Sequence, residues 1–316
     1  MKKLFYALNF ILLIVLIYII QYPVIKKGEK IKVKIAYHPS VASFPLFVAL
    51  EKKIFEKLKL EPEVIKTSSY EALDNLKRGK VDIVVGFPTV DFFIREREEI
   101  DNFRIIADVS ISENFLYASI FGFGRLKKID DIKNFPFYAP SQRMEGRVIG
   151  KKLADNYAFS LDNFFEYPTV IPQVSEGGVL IYYPTREYFA KKGANILIED
   201  VFKSLFGENF VIGSVLCSKV TLAYNKKAME RFREVWDQAL DYINNNKEEI
   251  LSLYKSFCIQ HLEADFLKEG EFDLRLPYYK KSNEVSDLPY LAIVRILKNL
   301  AFIYSEPDLG VLFELK

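Results

Sequence analysis

Leu76-Lys77-Arg78-Gly79-Lys80-Val81-Asp82-Ile83-Val84-Val85 is the stretch whose reading decides the fold. A helix starts near Ser68, where Ser68 and Glu71 stand at capping-box spacing, and runs out at Gly79. Residues 81–85 are then almost continuously apolar, as in a strand buried on both faces of a parallel sheet. Upstream, residues 31–37 alternate apolar and polar side chains as a strand does, and His38-Pro39-Ser40 ends it. Ser43-Phe44-Pro45 opens a helix, with Ser43 as candidate cap, Pro45 in the first turn, and Leu46, Ala49, Leu50 and Ile54 as its apolar face. A strand over 61–66 lies between. Downstream, Gly86-Phe87-Pro88-Thr89 hands over to another helix, and 103–109 is a fourth strand. This alternation predicts an α/β fold built on mainly parallel sheets flanked by helices.

The pattern restarts after Asp130-Asp131-Ile132-Lys133, with a strand over 135–139, Pro140-Ser141 and a helix through Leu153. A strand over 178–183 follows, then Pro184-Thr185 and a helix over 186–192. The last third is mostly helical, over 228–244, 248–258 and 292–304. Residues 31–316 exceed what one compact core organises, so two lobes are expected.

Composition excludes several classes. Apolar residues at 50% and charged residues at 27% describe an ordinary globular chain. A net charge of +2 lacks the clustered basic excess that nucleic acid demands. Abundant Lys and Glu with scarce Cys and Met hint at a thermophilic source. Cys217 and Cys258 have no metal-type spacing; a disulfide between them and two separate buried thiols both remain open, the second being preferred. Lys2-Lys3 precedes an apolar run over 4–20, broken only by Asn9 and extended to Ile25. A hydrocarbon core takes roughly 20 helical residues, so this segment is read as an N-terminal transmembrane signal anchor. A signal peptide cut at an unrecognised site is the alternative. Lys2 and Lys3 favour a body outside the membrane, while Lys26, Lys27 and Lys30 oppose that bias.

Pro-Ser or Pro-Thr occurs at 39–40, 88–89, 140–141, 168–169 and 184–185, four times where a strand hands over to a helix. In a parallel sheet these handovers gather outside the carboxyl ends of the strands, where ligands bind and helix N-termini offer free N–H groups. The plain alternative is that each Ser or Thr only caps its helix.

Ala36-Tyr37-His38-Pro39 with Phe44-Pro45-Leu46-Phe47-Val48-Ala49, and Leu76-Lys77-Arg78-Gly79-Lys80-Val81-Asp82-Ile83, resemble the first strand, ligand loop, first helix and "L-x-x-G-x-V-D" step of a known group. It is the nitrate/sulfonate/taurine/thiamine-pyrimidine group of periplasmic binding proteins, the ABC-importer receptors of type II fold. Residues 127–133, Tyr183-Pro184-Thr185 and 228–249 resemble later parts of it. The chain departs from the group at Lys53 and Lys59, where glycines are usual, and at Asp131-Ile132-Lys133-Asn134-Phe135, where Asp-Leu-Lys-Gly-Lys is usual.

The resemblance implies a two-lobed body with a hinge. Its expected division is an anchor over 1–27, one lobe from 28–112 plus 212–316, and a second lobe over 113–211. The crossovers would fall near 110–113 and 210–214. It implies a ligand site at His38, Ser43, Phe44, Ser68, Ser69, Phe87, Thr89, Ser141, Thr185 and Arg186, with Arg143 as a second candidate for pairing an anion. His261 is expected to be simply exposed. The expected partners are a small organic or anionic solute and an ABC permease with its ATPase; no cofactor, no metal, no nucleic acid and a monomeric state are expected. An enzyme has little to support it, since the chain lacks His-Glu-x-x-His, a Walker A loop and Gly-x-Ser-x-Gly, and Gly122-Phe123-Gly124 lacks a third glycine. The alternatives are a ligand-binding sensor or adaptor and, further off, one of the dehydratases or pyrimidine synthases that share the fold.

Overall fold

The computed structural model describes residues 30–111, 115–141, 143–168, 171, 173–207 and 210–313. The expected anchor over 1–27, part of the first crossover and Thr169 lie outside the described residues. Among those residues, no helix is long and apolar enough to cross a membrane.

The chain begins with β1 (Ile31–Tyr37), α1 (Phe44–Glu51), α2 (Ile54–Lys57), β2 (Leu60–Lys66), α3 (Ser69–Lys77), β3 (Ile83–Pro88), α4 (Thr89–Arg95) and β4 (Phe103–Ser110). It then enters a second sheet through β5 (Ala118–Phe123), β6 (Phe137–Pro140), α5 (Met144–Tyr157), β7 (Phe164–Tyr167), β8 (Gly177–Tyr182), α6 (Thr185–Lys191), β9 (Asn195–Ile198) and α7 (Val201–Phe206). It comes back through β10 (Val211–Ser218), α8 (Lys219–Tyr224), α9 (Lys226–Asn245), α10 (Lys247–His261), β11 (Tyr278–Tyr279) and α11 (Leu288–Asn299). The first sheet has the order β11-β4-β10-β3-β1-β2 and the second β7-β6-β8-β5-β9. Each sheet with its helices makes one lobe.

Both sheets are mixed, which corrects the expectation of mainly parallel ones. In the first, β1 runs parallel to β2 and β3, while β10 lies antiparallel between β3 and β4. In the second, β6 is parallel to β7 and β8, while β5 is antiparallel to β8 and β9. The reason is the double crossing. Ser110, the last residue of the outgoing β4, pairs with Val211, the first of the returning β10. A chain that leaves and re-enters a sheet at one edge puts its two strands side by side in opposite directions.

Every residue of β3, β4 and β10 is buried, as an apolar strand between neighbours requires. Asp82 fixes the entry to β3: its N–H donates to the Lys34 carbonyl and its Oδ2 accepts from the Lys34 N–H, both at 2.8 Å. The Ser68–Glu71 capping box forms in both directions at the start of α3. Ser43 stands at the cap position of α1 but does not cap it; its hydroxyl donates to the His38 carbonyl at 2.6 Å. The turn carrying Ser40 and Ser43 lies directly on β3. There Gly86 has φ +73°, and a Cβ would sit 2.2 Å from Ser43 Oγ. Cys217 and Cys258 are buried, unbonded thiols, and burial pushes the Cys217 thiol up to about 12.

Candidate ligand cleft

A cleft of about 480 Å³ opens between the two sheets. The first lobe supplies the turn after β1 (His38, Pro39, Ser40, Val41) and the passage from the end of β2 into α3 (Lys66, Thr67, Ser68, Glu71). The second lobe supplies Pro140 at the end of β6 with Arg143 beyond it, Tyr167 at the end of β7 with Pro168, and Tyr182 at the end of β8 with Tyr183, Pro184 and Thr185, with Tyr117 beside them. His261, Leu262 and Glu263, at the end of α10, close one side. Most of the lining thus lies at the carboxyl ends of β1, β2, β6, β7 and β8, where open α/β sheets place their ligands. A larger cavity, about 920 Å³, lies beside Arg104, Lys219 and Arg233, but only first-lobe residues line it.

His38 is held by its backbone. Its N–H donates to the Val85 carbonyl at 3.0 Å and its carbonyl accepts from Ser43, so the ring hangs at the cleft with only 5% of the residue exposed. Neither ring nitrogen has a hydrogen-bond partner among the described residues. Burial, then the charges of Arg143 and Arg95, hold its pKa well below the ordinary value. The ring is therefore neutral and presents one donor and one acceptor.

Arg143 immediately precedes α5 with extended backbone. Its Nη1 donates to the Tyr117 hydroxyl, its guanidinium lies 4.6 Å above the Tyr182 ring, and Glu145 Oε2 is 3.5 Å from Nη1. Burial opposes its charge most, yet Tyr117, Glu145, Tyr182 and Asp91 together outweigh that and raise its pKa. Glu145 is fully buried, and burial pushes its carboxyl up to about 7 even though Arg143 pulls it down. Asp91 is also fully buried; desolvation pushes it up to about 6 against the pull of Arg95. Behind this wall of the cleft two cations stand beside two carboxyls that burial keeps protonated to higher pH than usual, so below about pH 6 the wall is net positive. What it offers is directed hydrogen bonding among aromatic faces.

Of the residues expected at the site, His38, Ser68 and Thr185 line the cleft, and so does Arg143. Ser43 lies beneath it, holding the His38 carbonyl. Ser141 is exposed beside Pro140, its N–H donating to the Tyr167 carbonyl at 2.8 Å. Ser69 is buried in the first turn of α3 and is not in the lining. Phe44 packs in the core against Tyr254 and Phe257, Phe87 is buried within β3, and Thr89 shares a 3.0 Å hydrogen bond with Ser214. Arg186 is 4% exposed, outside the lining, and its Nη1 donates to Glu187 at 2.5 Å. His261, expected to be exposed, is half-buried: its Nδ1 is 3.2 Å from the Tyr37 hydroxyl and its ring centroid 4.0 Å from that of Phe47.

The sequence reading missed the four tyrosines, Tyr117, Tyr167, Tyr182 and Tyr183. The adjacent pair directly before Pro184-Thr185 was the available signal. Of the five Pro-Ser/Thr pairs, all but Pro88-Thr89 place at least one residue in the lining.

No model of a known protein family and no curated protein matches this chain. Solved structures do. The periplasmic aliphatic sulphonate binding protein SsuA from Escherichia coli superposes with a TM-score of 0.66 at 11% identity, covering 89% of this chain and 91% of that one. The periplasmic nitrate-binding protein NrtA from Synechocystis PCC 6803 gives 0.60 at 14% identity, over 90% and 84%. A Candida albicans gene product that defines a family with the generic periplasmic binding protein fold gives 0.64 at 18% identity, over 90% and 96%. The chain has the periplasmic-binding-protein fold, and the structures it superposes on include a sulphonate-binding and a nitrate-binding protein.

Proposed function

We propose that this chain is an extracytoplasmic receptor that closes its two lobes around a small organic or anionic solute and delivers it to an ABC importer. One observation carries the reading: a solute-sized cleft, lined from both lobes at the strand ends, into which His38 turns a buried ring with neither nitrogen satisfied. Its volume lies within the roughly 300–1,000 Å³ usual for small-molecule sites. A buried polar group without a partner costs free energy that a ligand's donor and acceptor would offset.

In this reading the moving bodies are residues 28–112 plus 212–316 and residues 113–211, hinged at the two crossings. Residues 1–27 anchor a monomeric body at the outer face of the cytoplasmic membrane. Arg143, rather than Arg186, pairs the anionic or polar end of the solute, because Arg143 faces the cleft and Arg186 is spent on Glu187. His38, Ser68 and Thr185 bond the remaining polar atoms, and the tyrosines enclose the rest.

The test is a thermal-shift screen of the full-length chain with sulfonates, nitrate, pyrimidines and small carboxylates, followed by native mass spectrometry. A ligand present at about 100 times its Kd stabilises the folded state by about 2.7 kcal/mol, a readily visible shift. With a hit in hand, Arg143→Ala is expected to weaken binding more than tenfold and Arg186→Ala to leave the affinity unchanged. Absence of any hit, or turnover of one, removes the receptor reading. Equal effects of the two substitutions remove Arg143 from the site.

A further inference from the structure

We infer that Asp91 is a positioning residue: from the first lobe it caps the N-terminus of the second lobe's helix α5, and so sets Arg143 in the cleft. The inference rests on the receptor reading for what Arg143 does, but its geometry stands without it. Asp91 sits in α4 of the first lobe with no solvent exposure. Its Oδ1 accepts from the backbone N–H of Met144, the first residue of α5, at 2.8 Å. Its Oδ2 lies 3.5 Å from Arg95 of its own helix.

The first turn of a helix leaves N–H groups that need acceptors, and its positive dipole end favours a carboxylate. The residue before a helix ordinarily supplies that acceptor from its own side chain. Here that residue is Arg143, which has donors only and makes no cap hydrogen bond. The cap is therefore borrowed from the other lobe. This frees the Arg143 side chain to turn away from the helix end, where it meets Tyr117, Tyr182 and Glu145. Its backbone, at φ −130° and ψ 125°, leads directly into the Met144 N–H that Asp91 holds. Because donor and acceptor belong to different lobes, the first turn of α5 is complete only while the lobes are together. Arg143 is thus in its binding pose only in that arrangement.

Hydrogen exchange on the ligand-free, full-length chain tests this, and a failure of the receptor reading does not affect the outcome. Two signals are followed: the backbone amides of Met144 and Glu145, and the Arg143 guanidinium N–H resonances. In Asp91→Ala both are expected to exchange at least tenfold faster than in the wild type. In Asp91→Asn, which keeps an Oδ1 acceptor, both should stay within about threefold. Should Asp91→Ala fail to fold, Met144→Pro removes the donor instead. Proline is tolerated in the first turn, and the residue before it is restricted to the extended backbone that Arg143 already has. Met144→Pro is then expected to speed guanidinium exchange by the same tenfold. Unchanged guanidinium exchange, in Asp91→Ala or, failing that, in Met144→Pro, overturns the inference even if the backbone amides respond. So does an Asp91→Asn variant as fast as Asp91→Ala.

Discussion

Glu145 and His38 face the same desolvation and answer it in opposite senses. Burial raises the Glu145 carboxyl from 4.5 to about 7 and drives the His38 imidazole well below 6.5. Between pH 4.5 and 7 the folded chain therefore holds a proton at Glu145 that the unfolded chain has released. That contribution to stability is fully present below 4.5 and is lost as pH rises through 7, with a slope of at most about 1.4 kcal/mol per pH unit. His38 acts the other way, since below 6.5 the unfolded chain takes a proton that the folded chain refuses. Glu145→Gln removes only the first effect. Its stability relative to the wild type is expected to rise by about 1–3 kcal/mol from pH 5 to pH 8. Denaturant unfolding at both pH values measures this, and parallel behaviour of the two proteins would show that Glu145 does not titrate in that window.

The two arginines also show what a sequence can and cannot say at this scale. Both follow a Pro-Ser or Pro-Thr turn within three positions. One precedes its helix and enters the cleft; the other is the second residue of its helix and is turned inward onto Glu187. Spacing from the turn does not carry that difference. The tyrosines were hidden for a related reason, because an aromatic residue at a strand end serves core and cleft equally well.

Elements were more legible. The apolar run expected as a strand over 81–85 forms one shifted to Ile83–Pro88, and the Ser68–Glu71 box forms as expected, because each is decided by residues a few positions apart. Ser68→Ala should cost about 1 kcal/mol of stability, the usual value of an N-cap, as read from denaturant midpoints. Strand direction was not legible: side-chain alternation and burial look the same in parallel and antiparallel neighbours, and only the pairing of Ser110 with Val211 decides it. Ser43 misled because a serine hydroxyl donates as readily as it accepts, and the carbonyl it chose belongs to a turn folded back onto β3. Gly86 is what lets that turn approach. Gly86→Ala combines a left-handed φ with a 2.2 Å collision, and is expected to cost about 2–5 kcal/mol. It should also displace His38, lowering affinity for any ligand found by the screen; a loss below 1 kcal/mol would show that the turn has room to move.

For the whole molecule, the lobes touch on both sides of the cleft. Asp91 holds Met144 on one side. On the other, the Arg275 N–H donates to the Tyr183 hydroxyl at 3.1 Å, Lys191 donates to the Glu271 carbonyl at 2.5 Å, and Tyr188 lies 5.4 Å from Phe266. Two chain crossings, a few polar contacts and an apolar seam in which Tyr183 stacks on Tyr254 at 6.2 Å join the lobes. The Tyr183 hydroxyl is the useful probe, because the same residue lines the cleft and joins the lobes. Tyr183→Phe keeps the ring and deletes the acceptor, leaving the Arg275 N–H to water and favouring the open arrangement. Spin labels at Lys66→Cys and Ser141→Cys, one on each lobe beside the cleft, read the separation. Cys217 and Cys258 do not interfere, because buried thiols with raised pKa react slowly. Tyr183→Phe is expected to broaden the distance distribution toward longer values, and a bound solute to narrow it toward shorter ones in both proteins. Identical distributions in the free wild type, the free variant and the bound wild type would mean that the lobes do not move, and hinge closure would have to be abandoned.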